Sequence, residues 1–474
     1  MTSVEQVSFF HPTFRTLHCH NRFLRNFGNQ IGHFLYTKRE NWTCDPPQGG
    51  SASLSQVQFR QTPKIRSVIL QGAECGFHEG SYSTIFFQLA NPMFRKDYLP
   101  FGKPNFSDEE VAAITKVMRS GWVGMGPETA GFEQELADYL CARYVVAVSS
   151  CTAAMFLSLL VQGIKPGDEV ICPSLTWCST ANVALYLGAK PIFCDVDPHT
   201  FCVTPERVQE KLTPKTRAVM VVHLGGMAVE VEKIRAIVPE KVVIIEDAAH
   251  ALGARYKNGK PVGSSGNLTC FSFYANKNLS TGEGGAVALF DPELADRIRS
   301  LRQHGMPVDA WKRFSHPTST IGSELTELGY KMNYTDLQAC IGRVQLKRQS
   351  EFHAIRLGIA KYYYQHLQGA LPALHFQSNV LHPNHARHLL MVRLPLEKIN
   401  LSRDELLLKL RSRNVGASIH YPPLHTMPLY AYEDQQKLSN TEQLCQSIMT
   451  LPISASMNLE DVDYVVRQIK ELLE

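Results

Sequence analysis

The chain has 474 residues, 44% of them hydrophobic and 19% charged, with a formal net charge of +4. That is long and apolar enough to bury a large core in more than one compact unit, and too weakly basic to argue for a nucleic-acid partner. No apolar run reaches the roughly 18 residues that a membrane helix takes, so no membrane partner is expected.

Residues 1–92 read as an appended, poorly ordered N-terminal segment. Eight lysines and arginines against five acids give this stretch +3 of the net charge. No helical or strand period runs through it, and PPQGGSAS at 46–53 has linker composition. It is poor in acids, yet it lacks the amphipathic repeat or apolar core of a targeting peptide. His11, His18, His20 and His33 lack the carboxylate or cysteine company of a metal site, and no metal is expected.

Order sharpens from Phe101. Ser107 to Glu110 has capping-box spacing ahead of Val111, Ile114, Val117 and Met118, which recur at helical intervals. Gly121 is placed to end that helix. FEQELADYL predicts a second amphipathic helix. Strands are then expected near 144–149, 169–172, 191–194, 217–222, 242–246, 268–273 and 285–290, mostly with helical stretches between them. Seven such strands predict an α/β fold with a mainly parallel sheet covered on both faces. After about residue 350 LLMVRLP reads as a strand and LSRDELLLKLRSRNVG as a helix. ASIHYPPLH reads as a strand and loop, and LEDVDYVVRQIKELL as a terminal helix with Val462, Val466 and Ile469 on one face. A large domain over 93–345 and a smaller α+β domain over 346–474 follow from this pattern. The twelve cysteines show no CxxC pair or zinc spacing. Cys172, Cys194 and Cys270 fall in apolar strands as small hydrophobes, which suits a reducing cytoplasm.

Three strand ends carry candidate chemistry. VVAVSSCTAAMFLSLL (145–160) passes from strand through small residues into an apolar helix, whose N–H groups at Cys151, Thr152 and Ala153 can face an anion such as a phosphate. KVVIIEDAAHALGA (241–254) ends an apolar strand on Glu246 and Asp247. Asp247 is there either a helix N-cap or a buried carboxylate that must meet a cation, such as a protonated ring nitrogen. LTCFSFYANKNLSTGEGG (268–285) leaves a strand for a glycine-rich loop carrying Lys277. Phosphate turn, pyridinium partner and imine-forming lysine together fit pyridoxal 5′-phosphate (PLP). Trp177, closing PSLTW, is core or a ring-stacking aromatic. His223, in HLGG, reaches the site or satisfies a backbone group.

These blocks, with SGWVGMGPETAGFE, GYKMNYTDLQACIGRVQLKR and HYPPLH in the same order, resemble the sugar-nucleotide aminotransferases of DegT/StrS type, within the fold-type I PLP enzymes. The resemblance runs from about Phe101 to the C-terminus. It implies that Lys277 binds PLP covalently and moves the proton, and that Asp247 holds the ring nitrogen protonated. It further implies that Ser272 and the 151–153 turn hold the phosphate, Trp177 stacks on the ring and His250 meets the ring hydroxyl. The GYKMNYTD loop has Lys331 and Asn333 where Asn and Arg are usual. The family directs this loop to the cofactor phosphate of a neighbouring subunit, which implies a homodimer with shared sites. His420 and Tyr421 are implied substrate contacts, whereas His382, His385 and His388 read as structural. The implied reaction moves an amino group from L-glutamate to a nucleotide-linked ketosugar, for amino-sugar, polysaccharide or glycan biosynthesis. A cyclitol or other ketone as acceptor, and a non-catalytic regulatory role, are the alternatives. Dehydratase relatives carry histidine where this chain has Lys277.

Overall fold

The structure, a computed structural model, describes residues 94–306, 325, 327–430 and 437–473. The appended segment expected over 1–92 lies outside the described residues. Two helices open the described chain, α1 (Asp108–Ser120) and α2 (Pro127–Leu140). Ser107 and Glu110 cap each other at the start of α1, and Gly121 ends it at φ 76°, in the left-handed region that glycine enters without steric cost.

All seven expected strands form: β1 (Tyr144–Val148), β2 (Glu169–Pro173), β3 (Lys190–Cys194), β4 (Thr216–Val222), β5 (Val243–Asp247), β6 (Leu268–Ser272) and β7 (Gly285–Leu289). They make one sheet in the order β1-β7-β6-β5-β4-β2-β3. The pairings from β6 across to β3 are parallel, and β7 runs antiparallel to both β6 and β1. Helices α3 (Cys151–Val161), α4 (Ser179–Tyr186), α5 (Pro205–Gln209) and α6 (Val231–Ile237) fall between the first five strands.

Strand side chains alternate between faces, and here both faces are apolar. Val145 and Ala147 of β1 join one core with Val219 and Val221 of β4; Val146 and Val148 join the other with Ala218 and Met220. A two-sided core explains why the strands read as unbroken apolar runs. It also leaves the strand ends as the place where polar groups can collect.

After β7 come α7 (Pro292–Leu301), α8 (Asp336–Lys347) and the long α9 (Gln349–Ala370). A small antiparallel sheet follows, ordered β10-β9-β8, from β8 (His375–Phe376), β9 (Leu390–Arg393) and β10 (Ile448–Leu451). Helices α10 (Arg403–Ser412), α11 (Ser439–Ser447) and α12 (Leu459–Leu473) complete the chain, with Val462, Val466 and Ile469 of α12 buried. The strand expected in ASIHYPPLH reduces to one bridge between Ser418 and Thr450, because Pro422 and Pro423 remove the donors that would extend it. Among the described residues no helix is long and apolar enough to cross a membrane.

Candidate active site

Asp247 is the last residue of β5 and is 4% exposed. It is not a helix cap: the chain beyond it turns without a helix. Its Oδ2 accepts from Thr180 Oγ1 at 2.8 Å, and its Oδ1 accepts from the Ala249 N–H at 3.1 Å. Burial pushes the carboxyl above its ordinary value, while Thr180, the Ala249 N–H and the Lys277 charge pull the other way. Such a group gains most from a cation placed against it.

Lys277 follows β6 in a turn closed by its own N–H to Tyr274 O at 2.9 Å. The side chain is half-buried. Desolvation lowers its amine to about 8, while its neighbours Cys151 and Asp247 favour the ammonium form. Roughly a tenth of the lysine is therefore uncharged at pH 7, against far less than one in a hundred for an ordinary lysine.

The turn before α3 leaves N–H groups that could face an anion. Ser150 Oγ accepts from the Ala153 N–H at 3.1 Å, and Ala154 makes the first intrahelical bond, to Ser150 O at 3.0 Å. The N–H groups of Cys151 and Thr152 have no helical acceptor at this position. The Cys151 side chain turns inward, its Sγ 4.0 Å from Asp247 Oδ1. Gly285 opens β7 beneath this turn, and a Cβ there would overlap the backbone of Ser150 and Cys151. Ser272 is half-buried at the end of β6, its Oγ accepting from the Tyr274 N–H at 3.4 Å.

A run of rings extends outward from Lys277. The His388 ring lies 4.6 Å from that of His250, which lies 6.2 Å from Tyr421, which lies 5.8 Å from Trp177. Trp177 is 59% exposed. His250 Nδ1 accepts from the Gly225 N–H at 3.4 Å and its Nε2 is 3.2 Å from Tyr421 Oη. Burial, then the Lys277 charge, holds His250 far below the ordinary imidazole range. His420 Nδ1 bonds Thr450 Oγ1 at 2.9 Å, and burial lowers it to about 3. These histidines are neutral at any physiological pH.

The loop bearing Lys331 and Asn333 runs along the end of β1 in its own chain. The Ser149 N–H donates to Met332 O at 2.8 Å, and Asn333 bridges Val148. Lys331 is exposed and Asn333 half-buried.

The fold thus gathers Asp247, Lys277, Cys151, His250, Tyr421 and Trp177 at one set of strand ends. His223 is not among the groups facing Lys277. Its Nδ1 accepts from the Val229 N–H at 3.0 Å and its Nε2 bonds Glu246 at 2.8 Å. Glu246 also accepts from Tyr256, Asn267 and Ser265. Two participants escaped sequence reasoning. Thr180 belongs to an i, i+4 pair, its Oγ1 3.0 Å from Thr176 Oγ1, a spacing that was the one available signal. His388 read as structural, yet its Nε2 stands 3.4 Å from Lys277 Nζ. It lies 111 residues downstream, and no local pattern announces that contact.

Comparison with known proteins gives this geometry its family. Residues 104–470 match the profile of the DegT/DnrJ/EryC1/StrS aminotransferase family. The chain belongs to that family. SpsC, a spore coat polysaccharide biosynthesis protein of Bacillus subtilis, is 39% identical over 388 residues, 80% of this chain and 98% of SpsC. Among solved structures, Spr1654 of Streptococcus pneumoniae, described as a sugar aminotransferase, superposes at TM-score 0.72 in its pyridoxamine-phosphate form. It is 29% identical and covers 79% of this chain and 98% of its own. The aminotransferase TlmJ of Streptoalloteichus hindustanus is 34% identical at TM-score 0.72, over 79% of this chain and 98% of TlmJ.

The DegT family is PLP-dependent, and the residues present fit the cofactor. A buried carboxylate, an amine lowered to about 8, a helix N-terminus with unclaimed N–H groups and an exposed indole are the partners that a pyridinium, an aldehyde, a phosphate and a flat ring take.

Proposed function

We propose that this DegT-family aminotransferase moves an amino group from L-glutamate to the keto carbon of a nucleotide-linked sugar. The observation that carries the reading is the convergence of Lys277, the buried Asp247 and the Cys151 turn at one set of strand ends. PLP supplies an aldehyde for amines and a ring that withdraws electrons from the reacting carbon. Lys277 would hold the cofactor covalently and would serve as the base and acid that moves the proton between the two reacting carbons. Asp247 keeps the ring nitrogen protonated, and Thr180 and the Ala249 N–H orient that carboxylate. The backbone of Cys151 and Thr152, with Ser272, holds the phosphate; Ala153 contributes through the Ser150 cap. Trp177 would supply a stacking face for the ring, and His250 would meet the ring hydroxyl.

Tyr421 and His420 face the substrate side. Lys331 and Asn333 reach the phosphate in a partner subunit, making a homodimer with shared sites. The similarity to SpsC supports amino-sugar synthesis for a polysaccharide or glycan, carried out in the cytoplasm.

The deciding experiment supplies purified protein with PLP, glutamate and a panel of nucleotide 3-keto and 4-keto sugars, with products read by mass spectrometry. Amination of one nucleotide sugar is expected. Amination of free cyclitols or simple ketones alone would overturn the substrate class.

A further inference from the structure

His388 is 4% exposed, and its two nitrogens have different surroundings. Nε2 is 3.4 Å from Lys277 Nζ. Nδ1 is buried and has no hydrogen-bond partner among the described residues. The ring packs on His250 at 4.6 Å, and Arg356 is close enough to act on it. That guanidinium is buried, bonding the carbonyl of Arg387, the residue before His388, at 3.1 Å and that of Ile453 at 3.3 Å. The groups acting on His388 are Lys277, His250, Arg356 and His420, none of them an anion. Those acting on Lys277 are Cys151 and Asp247.

A neutral imidazole carries one proton, and here its position is coupled to the lysine. When Lys277 is uncharged, a proton on His388 Nε2 has an acceptor in the amine lone pair. When Lys277 is charged, every position on its nitrogen is a donor. Nε2 must then be bare, and the imidazole proton moves to Nδ1, a buried site with no acceptor. Buried N–H groups without an acceptor are strongly avoided in proteins. The doubly protonated ring is disfavoured further by burial and by Arg356.

We propose that His388 is a positioning residue that holds Lys277 in its uncharged form, by donating Nε2–H to the amine and offering no acceptable tautomer when the amine is charged. The proposal builds on the reading of Lys277 as the reacting amine, but its test does not depend on PLP. Nor does it place His388 on the substrate. Its effect is to keep nucleophile available at a pH where an ordinary lysine is almost wholly ammonium.

The test uses the full-length protein freed of cofactor. Competitive acetylation of Lys277 against pH, read by mass spectrometry, gives the pKa of the amine. In His388→Gln the side-chain carbonyl can accept from an ammonium, so this pKa is expected to rise by about one unit or more. The exposed-site control His382→Gln should leave it unchanged. Ring-nitrogen NMR on the unaltered chain, with signals assigned by their loss in His388→Gln or His388→Asn, reads the tautomer. The Nε2–H form is expected at pH 9, giving way to Nδ1–H as pH falls through the lysine pKa. A tautomer that ignores pH, or Nδ1–H at pH 9, would overturn the proposal, as would an unshifted lysine in both variants. If these expectations hold but no substrate is aminated, the reaction assignment fails and the His388 inference stands.

Discussion

Burial acts on Lys277 and Asp247 in opposite directions, and each effect can be measured. Asp247→Asn keeps the shape and removes the charge proposed to meet the ring nitrogen. A fall in turnover on the order of 10²-fold or more is expected, with melting temperature little changed; near-normal turnover in a folded variant would remove Asp247 from the mechanism. For Lys277 the linkage shows in stability. Its folded-state pKa, about 8, is below the unfolded value of about 10.4, so between those pH values the unfolded chain binds more protons. Stability therefore rises with pH across that window, and the cost of the buried ammonium is fully present below it. Lys277→Met in the cofactor-free protein should raise the melting temperature at pH 7, by an amount that shrinks as pH climbs from 8 towards 10.4. A gain independent of pH would mean that packing, not charge, sets it.

Among the elements, β7 and its loop decide how closely the site is drawn together. The Gly282 φ of 83° lets the chain after Lys277 turn back into β7, and Gly285 lets β7 lie flat beneath the Ser150–Cys151 turn. Gly285→Ala forces a methyl against backbone that cannot rotate away. Overpacking of this kind costs about 1–3 kcal/mol. Because the displaced atoms precede the unclaimed N–H groups, PLP affinity should fall by about tenfold or more. Calorimetry and cofactor titration check the two effects separately. Lost stability with unchanged affinity would argue that this turn does not hold the phosphate.

At the scale of the whole molecule, the prediction concerns assembly. If Lys331 and Asn333 serve a partner's phosphate, then Lys277→Ala and the double variant Lys331→Ala/Asn333→Ala damage different sites of a two-fold dimer. A hybrid has one site with both lesions and one with neither, as an isologous interface requires. Refolded together, two impaired preparations should regain up to about one quarter of the unaltered activity, if subunits pair at random. Hybrids that form and stay inactive would assign the loop to its own subunit, beside the end of β1 that it already touches.

The seven strands, the two helix caps at Ser107 and Gly121, and the glycine-rich turn after Lys277 are all legible in the chain itself. Each depends on local physics: two-sided burial makes a strand uniformly apolar, a cap follows from side-chain reach over three residues, and glycines mark the turn after Lys277. Strand order was not legible, since the antiparallel entry of β7 between β1 and β6 depends on which faces find partners. Nor could local pattern separate Glu246 from Asp247, adjacent carboxylates with opposite environments. The pleat turns one into a ring of four donors and the other towards Lys277. His388 is the clearest case. A histidine entering an apolar strand is ordinary in sequence, and only the packing of the small sheet against the lysine loop brings its nitrogen to Lys277.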